Sequence, residues 1–502
     1  MRAVISFRNW STLKAATVLM GWGSLAFAQP VAPPRDLSRV NQDEIASFYG
    51  RMNVVVGSGA RAFGMGGAFL ARADDATAAS WNPAGLSYLR RTEFSLVGVH
   101  NDFSQKTALS STGGTAHPGF REDRLTATVA DFAGFALPLR VKDRSGAIQV
   151  SYQRSFSFSG SRRSEAQGQV LGFLPNEKPA PLTEFTVEGK GGFDTVSLSS
   201  GFEIAPGLRL GVSVNRWING FRQTVNRNDI GTQNYRLIES HWKLHGTNFN
   251  VGALVTPIPR LNLGGVFKSG FTAGGNLSKK RTDFDFGGPP QGTPNSDTSD
   301  ISVRFPRVFG FGASYQASNT VTLSADFTRT EWSKARITNF FALARAGAAT
   351  GDVDNFDDLP FPAVEEALVG QVDTSQFRVG GEWVLRPGSS GRILVPVRMG
   401  FFHDGQPVTV PSIKSTRSKV IQEEKAFSGF TLGAGVTLGG VLFDVAYIRE
   451  GGTVQTALYR TVPNPNPDEE GTVIEFGQIG PDRRVRYGRF FASVMVRFGP
   501  RR

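Results

Sequence analysis

Five histidines and no cysteine limit the chemistry open to this 502-residue chain. Only His241 and His245 lie close together, at a spacing that puts both on one face of a strand. A metal centre there needs a third ligand, which the sequence does not place beside them. His403 and Asp404 fall at the end of a predicted strand, where a structural role is the simpler reading than a general base. No Ser, His and Asp trio stands in a supporting context. The lack of cysteine removes thiol nucleophiles, Cys-ligated metals and disulfides. The sequence therefore predicts no enzyme, no cofactor and no metal. A different set of residues has binding character. Phe340, Phe341, Leu343, Phe356, Leu359 and Phe361 crowd a predicted connection over residues 333–375, and Leu171, Phe173 and Leu174 do the same over residues 157–192. Apolar side chains concentrated in loops can form a landing surface for a lipophilic molecule, or simply pack the loops together. If the captured molecule carries a carboxylate, a cation must meet it. Arg154, Arg216 and Lys268 are the inward or rim candidates on the parity of their strands, although charges lining a water-filled lumen are common in any barrel.

These residues need a scaffold, and its compartment is set at the N-terminus. Arg2, Arg8 and Lys14 precede an apolar stretch over residues 15–27 that ends in Ala26-Phe27-Ala28, which reads as a secretory signal over residues 1–28. Its removal lowers the formal charge from +12 by three, to +9. The basic residues are scattered and not interleaved with aromatics, which argues against nucleic acid. Lipopolysaccharide at a membrane rim is an expected partner for loop arginines; solvated rim charge is the blander alternative. Beyond the signal no run approaches the roughly 18 apolar residues a membrane helix needs. A chain with no spanning helix can still cross a membrane as a closed barrel.

Strict alternation supports that architecture. In residues 208–215, Leu208, Leu210, Val212 and Val214 alternate with Arg209, Gly211, Ser213 and Asn215. Val321, Leu323, Ala325 and Phe327 alternate in the same way with Thr322, Ser324, Asp326 and Thr328. About fourteen such segments can be counted, beginning near residues 92–103 and ending near 487–498. Long connections (104–124, 157–192, 222–242, 272–302, 333–375, 404–429, 450–486) alternate in order with short ones such as Ala205-Pro206-Gly207 and Gly439-Gly440. A soluble sandwich also alternates along its strands, but it has no reason to keep every long connection at one end. An outer-membrane barrel has one, because its periplasmic turns are tight and its extracellular loops are free to grow. The predicted fold is an all-β transmembrane antiparallel barrel of about 14 strands over residues 92–502, sited in the outer membrane as a monomer. Phe490, Ala492, Val494, Val496 and Phe498 make the last strand, resembling the Phe-ended strand by which such barrels are recognised for assembly; here Gly499-Pro500-Arg501-Arg502 follow it.

Ahead of the barrel, residues 57–91 differ in composition. Small residues dominate, Gly64, Gly66 and Gly67 permit close packing, Asp74-Asp75 suggest a cap for a helix over 76–80, and Asn82-Pro83 favours a turn. No strand-glycine-helix context with a basic phosphate ligand supports nucleotide binding. This stretch resembles the plug of the FadL-type long-chain fatty acid and hydrocarbon transporter family, which carries an Asn-Pro-Ala element before the first strand; Asn82-Pro83-Ala84 is that element. Further resemblances lie in residues 321–333, 377–383, 398–407 and 430–447. Proteins of secretion machinery carry a similar Ala-Asp-Asp-Ala and Trp-Asn-Pro-Ala-Gly-Leu stretch, and the downstream segments favour the transporters.

The resemblance implies a fourteen-stranded monomeric barrel with an N-terminal plug (hatch) inside it, gated around Asn82, Pro83, Ala84 and Gly85. It further implies passive uptake of hydrophobic small molecules, namely long-chain fatty acids or hydrocarbons. Ligand would move from the loops to a lumenal pocket and leave through a gap in the wall, formed by a kink in an early strand. Residues 146–156 of the third strand contain no internal Pro or Gly to predict that kink. Residues 29–56 form an N-terminal extension longer than the family's usual lead. The alternative function is an adaptor barrel of a protein secretion system; an outer-membrane lipase is a more distant third.

Overall fold

In a computed structural model the chain is a closed antiparallel barrel of fourteen staves. The structure describes residues 57–109, 119–167, 182–229, 234–285, 295–338, 370–371, 373–387, 393–406, 425–463 and 472–499, with isolated pairs at 4–5, 408–409, 412–413 and 420–421. The predicted signal and extension, apart from Val4 and Ile5, lie outside the described residues.

The staves are β1 (Thr92–Leu109), β2 (Gly119–Val141), β3 (Arg144–Ser157 continued by Gly160–Gln167), β4 (Leu182–Ala205) and β5 (Leu208–Ile218 continued by Gly220–Asp229). Next come β6 (Asn234–Ile258), β7 (Leu261–Lys268 and Phe271–Asp285), β8 (Asn295–Phe305 and Val308–Tyr315) and β9 (Val321–Thr330 and Arg336–Thr338). The last five are β10 (Thr374–Leu385), β11 (Ile393–Gln406), β12 (Lys425–Leu438), β13 (Val441–Pro463) and β14 (Thr472–Phe498). The barrel closes where β1 pairs with β14, from Thr92 opposite Phe498 to Thr107 opposite Arg483. Closure leaves no stave without a neighbour on each side, so the ladders satisfy the backbone over most of the wall. No helix among the described residues is long and apolar enough to cross a membrane.

The alternating side chains set what faces out. Leu210, Val212 and Val214 on β5, Phe377, Val379 and Trp383 on β10, and Met399 and Phe401 on β11 all point away from the lumen and are exposed, Met399 to 65%. So continuous an apolar exterior would be a liability in water and suits a bilayer. The same outward parity then carries His100, Arg216 and His403, which mark the belt's upper margin. Each pairs with the hydroxyl directly across the ladder, Thr128, Thr247 and Ser428 respectively, at 2.8–3.1 Å.

The short turns sit where alternation predicted them. Gly207 and Gly439 hold the positive φ that two-residue hairpins demand, at +77° and +63°. The long connections are shorter than predicted, because the staves run well past the belt: β1 reaches Leu109, β4 starts at Leu182 and β14 at Thr472. Above the belt the outward face meets water, so these extensions carry no apolar alternation to betray them.

Candidate functional site

Residues 57–89 fold into the lumen as a buried segment with two short helices, α1 (Ala60–Gly64) and α2 (Ala78–Trp81), and a 3-10 turn over Pro83–Tyr88. Its apolar side chains, including Phe63, Met65, Phe69, Trp81 and Leu86, form a core with inward residues of the wall such as Phe132, Val266, Phe402 and Phe491. Phe63 stacks on Phe491 at 4.3 Å between centroids. Small wall residues make this approach possible. A Cβ on Gly252 would fall 2.0 Å from the Asn82 side-chain oxygen, and one on Gly400 would meet the Gly66 nitrogen at 2.3 Å.

Asn82 ties the segment to itself and to the wall. Its Nδ2 donates to the carbonyls of Leu70 (3.0 Å) and Ala253 of β6 (3.1 Å), while its Oδ1 accepts from the Ala84 amide at 3.2 Å and starts the 3-10 turn, with Pro83 in the first position. The helix predicted over 76–80 begins two residues later, at Ala78. Asp75 still serves its start by accepting from the Thr77 amide and hydroxyl, whereas Asp74 turns to Arg61 at 2.6 Å and Arg72 at 3.3 Å. Charges fix the other end. Glu382 of β10 receives Arg398 at 2.8 Å, Arg72 at 3.1 Å and Arg61 at 3.3 Å, and Arg398 reaches Asp444 at 2.7 Å. Asp326 of β9 accepts from the Phe69 and Leu70 amides at 2.6 and 2.8 Å.

Beyond this segment, toward the end of the barrel opposite its tight turns, the lumen is aromatic. Phe156 and Phe158 of β3, Phe193 of β4, Trp217 and Phe221 of β5, Trp242 of β6, Phe271 of β7, Phe305 of β8 and Trp332 beside β9 gather with smaller apolar residues. Trp217 stacks near Phe271 (4.9 Å), Phe305 (5.1 Å) and Phe156 (5.7 Å), and its Nε1 donates to Asn248 at 2.8 Å. Phe158 stacks on Phe221 at 4.0 Å. A water-filled pore has no need of such a lining, whereas an apolar solute gains about 25 cal/mol for each Å² it buries there.

The wall opens beside this cluster. The β2–β3 ladder runs up to Phe132 opposite Gln153 and resumes only at Thr126 opposite Ser161. In between, residues 127–130 keep their β1 partners and Arg154, Phe156, Ser157 and Gly160 their β4 partners, but the two edges do not pair with each other. Asp131 is the bulged residue of β2, and its carboxylate accepts from the Ser58 hydroxyl at the start of the lumenal segment. The third stave does kink, contrary to the expectation from residues 146–156. The glycines responsible lie just beyond and across from that window: Gly160 (φ +142°) and Gly191 (φ +98°), with Gly192, where a Cβ would strike the Phe156 carbonyl at 2.0 Å. At the top of β9, the Ser333 amide and Arg329 hold Asp373 below the usual carboxylate range despite the opposing effect of burial, which braces the break between the two parts of that stave.

The predicted cations separate. Arg216 is a correction: it follows Leu210, Val212 and Val214 on the outward face and is exposed there, so it cannot meet a ligand in the lumen. Arg154 stands at the edge of the wall gap, paired with Asp194 at 2.5 Å and close to the Tyr152 hydroxyl at 3.3 Å. Lys268 points inward and donates to the Ser80 carbonyl at 2.9 Å, holding the lumenal segment. Phe340, Phe341, Leu343, Phe356 and Phe173 lie outside the described residues. No group of metal-ligating side chains occurs among the described residues. The lumenal aromatics were missed because Phe and Trp on the polar parity of a strand break the alternation that served to find it.

Among solved structures, a FadL homologue of Pseudomonas aeruginosa is similar, with a TM-score of 0.54 at 15% identity, covering 89% of this chain and 99% of that one. This chain has the FadL-type fold. A mutant of the monoaromatic hydrocarbon channel TodX is also similar, at a TM-score of 0.50 and 12% identity, covering 88% of this chain and 100% of that one. No protein-family model matches the chain, and no curated protein matches it in sequence. The resemblance drawn from residues 57–86 and the downstream segments thus extends to the fold.

In this FadL-type barrel the docked segment leaves no room at Gly85, where a Cβ would lie 1.6 Å from the Ala73 carbonyl oxygen. Gly85→Ala is expected to loosen the segment while the barrel still forms. Limited proteolysis of folded, heat-modifiable protein checks this, with new cleavage confined to residues 57–91; wild-type resistance would contradict it.

Proposed function

We propose that this chain is an outer-membrane channel for the passive uptake of hydrophobic compounds, with the lumenal segment as its plug. The observation that carries the reading is the aromatic cluster, which links the extracellular side of the lumen to the gap between β2 and β3. The solute is caught among the outer loops, where Phe340, Phe341, Leu343, Phe356 and Phe173 supply apolar surface. It then moves onto the Phe and Trp faces and leaves through the wall once the Ser58 end of the plug lets go of Asp131. Asn82, Pro83, Ala84 and Gly85 are the plug's anchor and set how far it can shift. The names of the similar structures, a FadL homologue and a hydrocarbon channel, agree with this class of cargo.

The cluster favours an uncharged, aromatic solute over a fatty acid. Arg154 and Lys268, two of the inward or rim cations predicted for a carboxylate, are engaged with Asp194 and with Ser80. Flux follows the solute gradient. The protein works as a monomer, and the outward row of Lys190, Arg222 and His241, directly opposite one another across β4, β5 and β6, meets lipopolysaccharide phosphates.

Uptake of radiolabelled toluene and oleate tests the reading, in cells bearing the intact chain, an Asn82→Ala variant or an empty vector. Toluene is expected to accumulate faster than with the vector and faster than oleate. Asn82→Ala is expected to change the rate, since each lost buried hydrogen bond weakens plug docking by about 1–3 kcal/mol. Equal accumulation by the intact chain and the vector for both compounds would remove the proposal.

A further inference from the structure

The wall is interrupted at a second place. The β6–β7 ladder runs up to Asn250 opposite Lys268 and resumes at His245 opposite Gly274, leaving residues 246–249 and 269–273 in between. Ser269 and Phe249 still meet: the Ser269 amide donates to the Phe249 carbonyl at 2.9 Å, and the Phe249 amide donates to the Ser269 hydroxyl at 3.1 Å. Above them, up to Gly246 and Ala273 where the two backbones close again (a Cβ on Gly246 would lie 3.3 Å from the Ala273 Cα), the edges hold only to their outer neighbours. Trp217, Arg216 and Asn215 of β5 pair with residues 246–248, and Phe305, Arg304 and Val303 of β8 pair with residues 271–273. Residues 247–248 and 270–272 are left without a partner across the seam, more than the single residue that an ordinary bulge leaves without its rung.

Its height and its filling both point to passage. Phe249, just below, belongs to the outward apolar belt, while Thr247 and Thr272, in the gap, are outward and exposed. The opening therefore lies at the upper margin of the belt, where water can reach backbone groups that hydrocarbon would leave unsatisfied. On the lumenal side it meets the aromatic cluster. Phe271 packs there against Trp217 (4.9 Å) and Phe305 (4.8 Å), and a Cβ on Gly246 would come within 2.8 Å of the Phe271 ring. Glycine at 246 makes room for that ring to stand across the gap.

We infer that β6 and β7 form a second side opening, from the aromatic cluster to the outer leaflet, which the Phe271 ring closes. It admits uncharged apolar solutes of about ring size that have already partitioned into the leaflet. This rests on the proposed transport of hydrophobic compounds and adds an entrance from the membrane to one from the loops.

The cysteine-free chain makes a clean test. Phe271→Cys and Phe305→Cys are reconstituted separately into vesicles containing a lipid-confined N-alkyl maleimide. Both positions line the cluster, but only 271 borders the gap, so Phe271→Cys is expected to be labelled several times faster than Phe305→Cys; equal or slower labelling overturns the opening. Toluene uptake is then compared for Phe271→Ala and Phe271→Trp. Losing the ring contacts, at about 0.5–1.5 kcal/mol, is expected to raise the rate about 2- to 10-fold in Phe271→Ala, and Phe271→Trp is expected to lower it. An unchanged or reduced rate in Phe271→Ala overturns passage through the gap. If the intact chain takes up no more toluene than the vector, the transport reading fails by itself, while labelling still reports on the opening.

Discussion

Glu382→Ala is expected to dislodge the lumenal segment and turn a closed barrel into an ion-conducting one. The carboxylate receives three guanidinium groups, from Arg398 of the wall and from Arg61 and Arg72 of the segment, and it is itself buried. Removing it leaves those cations facing one another, with Asp74, Asp75 and Asp444 only partly compensating. Breaking a buried pair from one side costs about 3–5 kcal/mol, which is comparable to what holds a short segment in place. The barrel itself rests on ladders that Glu382 does not support alone, so it should still fold. Single-channel recording in planar bilayers reads the result as large, long-lived openings absent from the wild type. Glu382→Gln, which keeps the shape and some hydrogen bonds, should fall between the two. Closed channels in the alanine variant would mean that apolar packing around Phe63 and Trp81 holds the segment without the charges.

The second large effect concerns the cluster. Trp217→Ala is expected to cut the initial rate of toluene uptake at low concentration by more than tenfold. A solute resting against that ring loses on the order of 100 Å² of apolar contact, or about 2.5 kcal/mol at 25 cal/mol per Å², which weakens occupancy by well over tenfold. Trp217→Phe keeps a face for stacking and should recover most of the rate, although it abandons the hydrogen bond to Asn248. Because Trp217 touches neither Glu382 nor the segment's ion pairs, conductance should stay at the wild-type level. A wild-type uptake rate in Trp217→Ala would place the route elsewhere. The two variants therefore separate the lumenal segment from the proposed path: one is expected to open the lumen to ions, the other to remove a surface along the route proposed for the solute.

Different parts of this site were unequally legible in the sequence. Residues 57–86 announced a close-packed segment because only small side chains tolerate contact with a backbone wall, and Gly85 and Asn82 bear that out at atomic distances. The matching glycines of the wall, such as Gly211 and Gly252, were visible only as residues sharing the polar parity of their strands. Parity places Lys268 inward with Gly264 and Val266, and it places Arg216 outward with Val212 and Val214, as the structure has it; reading this charged side chain at the belt's upper margin as an inward or rim group runs against that parity. Arg154 sits at an interruption, where a register shift between Arg154 and Phe156 ends the usefulness of parity. The kink of β3 was missed because its glycines are Gly160, beyond the stretch considered, and Gly191 and Gly192 on the facing stave.

What the sequence determined by itself was the closed sheet, its fourteen staves and the side on which its tight turns lie. Those follow from a two-residue period and from turn chemistry, which are local and therefore written in consecutive residues. What only the tertiary structure decided was which staves part company, which aromatics meet in the lumen, and which charges grip the segment. Phe156, Trp217, Phe271 and Phe305 come from four different staves, and Glu382 lies more than 300 residues from Arg61. Their proximity depends on the order and stagger in which distant strands close around a common axis, and no local pattern encodes that.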